Sequence, residues 1–243
     1  MARVRPFDTL HYAKRGAVAV VTLDRPAKLN AYNVAMRDDL YAVLGAADED
    51  PEVRALVLRG RGPAFSTGGD VSEFGIAPSP MVARTVRWQR DVWGRLLRLR
   101  AATVAAVHGY AVGGGMEMAL LCDLCVASED ARFALPETGL GMIPGVAGTQ
   151  TLPRRVGLGR ALELVLTGRW VEAREAAQLG IVNRVVPRAR LEADALGLAR
   201  RLAGLDPRLV QAARRCVHAA HDLPLEAGLA LEHRLALTLQ GRR

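Results

Sequence analysis

The chain has 243 residues, of which 50% are apolar, 24% charged and only 5% aromatic, which excludes a disordered, fibrous or peptide-sized protein and suits one sizeable core with room for an appendage. The formal charge of +8 points to anionic partners. The basic residues, however, are scattered arginines with lysine only at Lys14 and Lys28, and no aromatic platform is interleaved with them, so nucleic acid is not the expected partner.

The longest clean apolar stretch, Ala17 to Leu23, falls far short of the roughly 18 residues of a membrane span, and Asp24-Arg25-Pro26 closes it without a cleavage signal, so the expected location is the cytoplasm. In chain order, Val18–Leu23, Ala55–Leu58, Thr103–Val107 and Leu124–Ala127 read as strands, and Val34–Ala47, Met81–Leu99 and Gly114–Cys122 as helices. Strands alternating with helices predict an α/β fold with parallel pairing, and their continuous apolar character predicts cover on both faces. From about Gly157 the pattern turns helical: Leu158–Leu166, Glu172–Leu179, Leu191–Ala203, Pro207–Ala219 and Pro224–Leu239, broken by a strand-like piece at Ile181–Val186. Asp206-Pro207 supplies a cap and first-position pair, and Gly168, Gly180 and Gly204 sit at helix ends. A core over residues 1–190 and a helical region over 191–243 follow, with no low-complexity linker between them. Ala55–Asp70 and Thr103–Glu117 echo one another, each a strand, a glycine turn and a glycine-rich segment ending at an acid.

The run Val112-Gly-Gly-Gly-Met-Glu-Met-Ala-Leu-Leu-Cys122 follows a strand and opens a helix. Glycines there permit a tight turn and leave amides unshielded at the positive helix end, where an anion or a developing oxyanion can approach; a purely steric need for glycine explains them equally well. Dinucleotide and P-loop spacings are absent. Glu117 stands among apolar neighbours, either as a first-turn acid on a solvated face or as a carboxylate placed for use. Glu137 lies in a turn between apolar residues, and two such acids can divide acid and base work when their surroundings separate their pKa values. A second glycine loop, Pro63-Ala-Phe-Ser-Thr-Gly-Gly-Asp70, offers a second amide donor, with Asp70 as cap or brace. Ser66 and Thr67 lack a nucleophile elbow and a partner histidine, so they read as polar loop residues. His108 reads as a hydrogen-bonded core residue. Cys122 and Cys125 match C-x-x-C but lack a second ligand pair and close a helix rather than opening one, so they read as buried thiols; no metal is expected.

Five segments occur in one order: Asp24-Arg-Pro-Ala-Lys-Leu-Asn-Ala31, Ala64-Phe-Ser-Thr-Gly-Gly-Asp70, Ala105-Ala-Val-His-Gly-Tyr-Ala-Val-Gly-Gly-Gly-Met-Glu117, Phe133-Ala-Leu-Pro-Glu-Thr-Gly-Leu-Gly-Met-Ile-Pro-Gly145 and Gly148-Thr-Gln150. Together they resemble the enoyl-CoA hydratase/isomerase, or crotonase, family. The resemblance implies a crotonase-like spiral of repeated ββα units followed by a helical trimerisation region, in a homotrimer or a hexamer of two trimers. It implies an oxyanion hole from the backbone N–H groups of Gly69 and Gly114, and places Glu117 and Glu137 on the two catalytic glutamate positions. It also implies that Lys28, Leu29 and Ala31, with Ala64, Ser66, Gly68 and Asp70, hold coenzyme A, which enters as part of the acyl-CoA thioester; no separate cofactor is expected. Retention of both acids favours water addition to a 2-enoyl-CoA, or its reverse, over double-bond isomerisation. A non-catalytic RNA- or acyl-CoA-binding protein on the same fold is the competing class.

Three departures stand against the resemblance. Ala147 and Thr151 occupy positions where relatives usually have glycine and arginine. Relatives also usually continue past the last helix into an acidic-glycine stretch and a basic-aromatic terminus that covers the acyl site, whereas this chain stops at Gly241-Arg242-Arg243, which implies a more open site. The acyl preference is expected to depend on side chains of the Val71–Arg84 loop.

Overall fold

The computed structural model describes residues 7–79, 81, 82, 85 and 89–240. Strands β1 (Leu10–Arg15), β2 (Val18–Leu23), β3 (Ala55–Gly60), β4 (Ala102–Val107), β6 (Leu124–Ser128) and β9 (Arg184–Val186) form one sheet in the order β1-β2-β3-β4-β6-β9. β1 pairs antiparallel with β2, and every other pair is parallel. A second sheet joins β5 (Tyr110–Val112), β7 (Arg132–Ala134) and β8 (Val171–Glu172) in that order. The helices are α1 (Val34–Glu49), α2 (Val92–Arg98), α3 (Gly114–Leu121), α4 (Gly148–Val156), α5 (Leu158–Thr167), α6 (Ala173–Leu179), α7 (Leu191–Ala203), α8 (Pro207–Ala219) and α9 (Leu225–Gln240).

All six residues of β2 and of β4 are buried, as strands covered on both faces must be. Alternate side chains divide between two cores. Ala19, Val21, Leu23, Leu56, Leu58, Ala105 and Val107 face Met36, Leu40 and Leu44 of α1, Leu96 of α2 and Met116 of α3. Val18, Val20, Ala55, Val57, Val104, Ala106 and Val126 face Leu191, Ala195, Leu196, Leu198, Ala199 and Ala203 of α7. The sheet therefore draws its second covering layer from beyond residue 190, and α7 is built into the core rather than appended to it.

β4-β5-α3 and β6-β7-α4 repeat one unit in which a long core strand is followed by a short strand of the second sheet and then a helix. The short strands and the antiparallel β1 were not anticipated, because two or three residues show no periodicity and β1 alternates Leu10 with exposed polar positions. The predicted Met81–Leu99 helix is realised over α2, capped by the Asp91 side chain; positions 83, 84 and 86–88, with Arg84 of the expected acyl loop, lie outside the described residues. Asp206 caps α8 as predicted, and Gly168 and Gly180 take left-handed C-cap conformations while Gly204 does not. Among the described residues, no helix is long and apolar enough to cross a membrane.

α8 is anchored at one buried carboxylate. Asp123 accepts from Arg214 Nε at 2.9 Å and faces His218 Nε2 at 3.1 Å, and its other oxygen accepts from the Thr103 amide at 2.7 Å and hydroxyl at 3.0 Å. Burial pushes this carboxyl up, but His218, the Arg214 charge and Thr103 together hold it below its ordinary value.

Candidate functional site

The site lies past the carboxyl ends of β3 and β4, where loops leave adjacent parallel strands. The loop after β3 is laced on one edge to the segment after β4: the amides of Phe65, Ser66 and Val112 donate to the carbonyls of His108, Tyr110 and Ser66 at 2.9, 3.0 and 3.0 Å. On its other edge Tyr32 N donates to Gly68 O at 2.7 Å, and Asp70 N donates to Tyr32 O at 2.8 Å. Successive peptides in an extended chain face opposite edges, so the Gly69 N–H is turned away from Tyr32. Among the described residues, neither Gly69 N nor Gly114 N donates to any protein group. Gly68, at φ +86°, brings the two loops into contact, since a Cβ there would stand 2.9 Å from Gly114 N.

Each residue of the glycine run answers to a different neighbour. Gly113 has φ +52°, Gly114 lies under the Tyr32 ring, and a Cβ on Gly115 would stand 2.1 Å from Ser66 O. The steric explanation and the donor explanation of the run therefore hold together. Close packing demands glycine, and the same packing leaves the first amide of α3 uncovered.

Glu117 is only 1% exposed, which rules out the solvated-face reading. Its Oε1 accepts from Val146 N, Ala147 N and Gly148 N at 2.9, 2.8 and 2.6 Å, the amides at the mouth of α4. These amides offset the cost of burying the acid and fix its rotamer. The Ala147 and Thr151 departures are mild here. Ala147 serves through its backbone, and the Thr151 hydroxyl donates to Ala147 O at 3.0 Å within the helix.

Glu137 opens a 3-10 turn, Glu137–Leu140, three residues after β7. The β5–β7 register pairs Val112 with Ala134, and Gly113 N donates to Ala134 O at 2.8 Å, so the chain delivers Glu137 to the start of α3. A Cβ on Gly113 would stand 2.8 Å from Glu137 Oε1. Glu137 Oε2 is buried and without a hydrogen-bond partner among the described residues. Burial, supplemented by the Glu117 charge, raises its pKa, against a weaker opposing effect from its own backbone N–H. The two acids thus converge on one cavity in contrasting environments, which spacing alone could not show.

The Lys28–Ala31 segment lies beside the Ala64–Gly68 segment. Thr67 N donates to Leu29 O at 3.1 Å, and Leu29 and Asn30 both have positive φ, 49° and 55°. Lys28 and Leu29 are exposed and Ala31 half-buried, whereas Ala64 and Ser66 are fully buried. The Ser66 hydroxyl donates to Asn30 O at 2.8 Å and accepts from Gly68 N at 3.2 Å, so its side chain builds the loop from within. Asp70 accepts from the Ser72 amide and hydroxyl and from Arg25 Nη1 at 3.0 Å. The Ser72 hydroxyl first, and Arg25 next, hold its carboxyl below the usual range.

Three residues had gone unassigned. Arg25 Nη1 also donates to Ala31 O at 2.5 Å, tying both loops together. Asn30, fully buried, donates to Arg61 O and Ala64 O at 2.9 and 2.8 Å and accepts from Arg25 N at 2.9 Å. Tyr32 pairs with Gly69. Arg25 and Asn30 sit inside a quoted motif, but their hydrogen-bond partners lie beyond local sequence, and nothing in the pattern distinguished Tyr32. His108 Nε2 lies 3.0 Å from Gly62 O, and burial, with the Arg188 charge, pushes its pKa down to about 4, as befits a neutral core histidine. Cys122 and Cys125 are buried, and burial pushes the Cys125 thiol up to about 12, away from thiolate chemistry.

The sequence profile described as enoyl-CoA hydratase/isomerase matches residues 13–242. A 2,3-dehydroadipyl-CoA hydratase from Escherichia coli is 39% identical, over 92% of this chain and 87% of the relative. An enoyl-CoA hydratase subunit from Geobacillus kaustophilus superposes with a TM-score of 0.91 at 40% identity, covering 97% of this chain and 91% of that one. A Thermobifida fusca protein solved in complex with CoA superposes at 0.89 and 32% identity, covering 96% and 93%. A profile match across nearly the whole chain, with the ββα spiral and the convergence of two acids on two open amides, is decisive: the chain belongs to the enoyl-CoA hydratase/isomerase family.

Proposed function

We propose that this protein is an enoyl-CoA hydratase, adding water across the α,β double bond of a 2-enoyl-CoA thioester to give a 3-hydroxyacyl-CoA, or running the reverse dehydration. The observation that carries the reading is the convergence of the Glu117 and Glu137 side chains beside the amides of Gly69 and Gly114. The two amides accept the thioester oxygen, which makes C3 electrophilic and stabilises the enolate-like state; one such donor is worth about 3–4 kcal/mol in other oxyanion holes. Glu117, held by three amides through Oε1, keeps Oε2 to take a proton from water as it attacks C3. Glu137, with its raised pKa, delivers a proton to C2. Glu117 then carries the extra proton and Glu137 lacks one, and exchange with solvent restores both.

Lys28, Leu29 and Ala31, with the backbone of Ala64, Ser66 and Gly68 and the Asp70 brace, hold the CoA moiety, whose phosphates account for part of the basic balance. No cofactor beyond the substrate's own CoA is needed. The test is loss of enoyl absorbance with crotonyl-CoA, using Glu117→Gln and Glu137→Gln as controls, and an active double variant overturns the reading. A parallel isomerisation assay separates hydration from double-bond migration.

The protein acts as a homotrimer or hexamer. Support comes from Leu158, Leu162 and Leu166, exposed at helical spacing on α5, and from α9, which buries only Leu231 and exposes Leu225, Leu229 and Leu237. Light scattering that gives a monomer mass overturns this assembly.

A further inference from the structure

We infer that the Tyr32 hydroxyl is a third hydrogen-bond donor to the thioester oxygen, beside the amides of Gly69 and Gly114. This rests on the acyl-CoA reading of the site and adds to it a side chain that touches the reacting group. Tyr32 is placed by its backbone, because the parallel bridge pairs it with Gly69, and residues paired in this way project to the same side of the strand. A Cβ built on Gly114 would stand 2.6 Å from Tyr32 Cε1 and 2.8 Å from its hydroxyl oxygen, and one on Gly69 would stand 3.7 Å from the same oxygen. That oxygen is the one polar atom among the closest neighbours of both positions. The ring is half-buried and held edge-on to Trp93, with centroids 5.1 Å apart and planes at 68°.

A wall for the acyl group needs only an aromatic ring, which phenylalanine supplies without the desolvation cost of a hydroxyl. A phenol, by contrast, donates one hydrogen bond and can turn its O–H toward charge as it grows on a neighbouring oxygen. Its position between the two amide-bearing glycines, anchored through the same strand that orients Gly69, puts that donor where the oxyanion forms.

The test is Tyr32→Phe, which keeps the ring against Gly114 and Trp93. The expected result is a kcat lowered at least about tenfold with KM nearly unchanged and an unaltered melting temperature. An independent readout is the infrared carbonyl stretch of bound, isotopically labelled butyryl-CoA, a saturated thioester that cannot be hydrated. Its shift to lower frequency on binding should be smaller in the variant. A kcat within twofold of wild type, or an unchanged carbonyl frequency, overturns the inference. So does a changed chain-length preference in Tyr32→Phe with the frequency unmoved, which makes the ring a wall. A wild-type protein that hydrates no enoyl-CoA and leaves the butyryl-CoA carbonyl unperturbed sinks the acyl-CoA reading itself, together with this inference.

Discussion

The Glu137 carboxylate lies against Gly113, so closely that a Cβ on this glycine would stand 2.8 Å from Glu137 Oε1. Gly113 also has φ +52° and immediately precedes the open amide of Gly114. One residue therefore aims the amide and seats the acid. Gly113→Ala should cost about 1–3 kcal/mol of stability through strain at this conformation. It should also lower turnover far more than the loss of folded protein explains. Thermal unfolding and steady-state kinetics together check this, and full activity in a folded variant would show that Glu137 need not sit where it does.

Glu117→Gln should fold normally, because the amide oxygen of glutamine can accept the bonds from Val146, Ala147 and Gly148. Loss of the base should lower kcat by roughly 10²–10⁴-fold. Near-wild-type melting with near-zero turnover is the expected pair of results.

For Glu137 the sign follows from a pKa raised above its model value of 4.5. The folded state favours the neutral acid, so ionisation costs stability as pH rises through the folded-state pKa, and that cost is absent below the unfolded value. Glu137→Gln should therefore melt higher than wild type at neutral pH, with the difference vanishing below about pH 4.5. Hydration should decline with rising pH on the limb set by this acid, and the limb should disappear in the variant's residual rate.

Arg25→Ala removes the donor shared by Ala31 O and the Asp70 carboxylate in a pair whose side chains are 19% and 9% exposed. Leaving a mostly buried charge unpaired should cost about 2–4 kcal/mol. If the pair positions Gly69 for catalysis, Arg25→Lys should restore melting more completely than it restores kcat, since one ammonium cannot span both acceptors in the same geometry. Equal recovery of both would make the pair purely structural.

Arg214→Ala should loosen α8 from the sheet by stripping Asp123 of its guanidinium partner, at a cost of about 2–4 kcal/mol. Because the Asp123 pKa is lowered, its contribution is present above the unfolded value of 3.8 and is lost as pH falls through the folded one. The gap between wild type and variant should accordingly narrow in acid. Hydrogen exchange confined to α8 and α9 would locate the effect.

The parallel strands β2, β3, β4 and β6 were legible because long β-branched runs buried on both faces have few other uses. β5, β7 and β8 were not legible, yet their pairing is what carries Glu137 to Gly113. Ser66 was legible as a loop polar residue, but its commitment to Asn30 O depends on a partner 36 residues away. Helix α7 read as the start of an appendage because its periodicity names an apolar face without naming what covers it, and the covering surface is the second face of the sheet.

The sequence by itself determined the class of fold, the two glycine-rich turns, the pair of acids and the family they match, because these rest on local periodicity, glycine's steric freedom and residue order. Only the tertiary structure decided that the acids converge, that Glu117 is held by three amides while Glu137 keeps a buried oxygen unpartnered, and that Tyr32 lies across both glycines. The physical reason is that hydrogen-bond geometry and desolvation are set by groups distant in the chain, and strand register alone brings them within ångströms of one another.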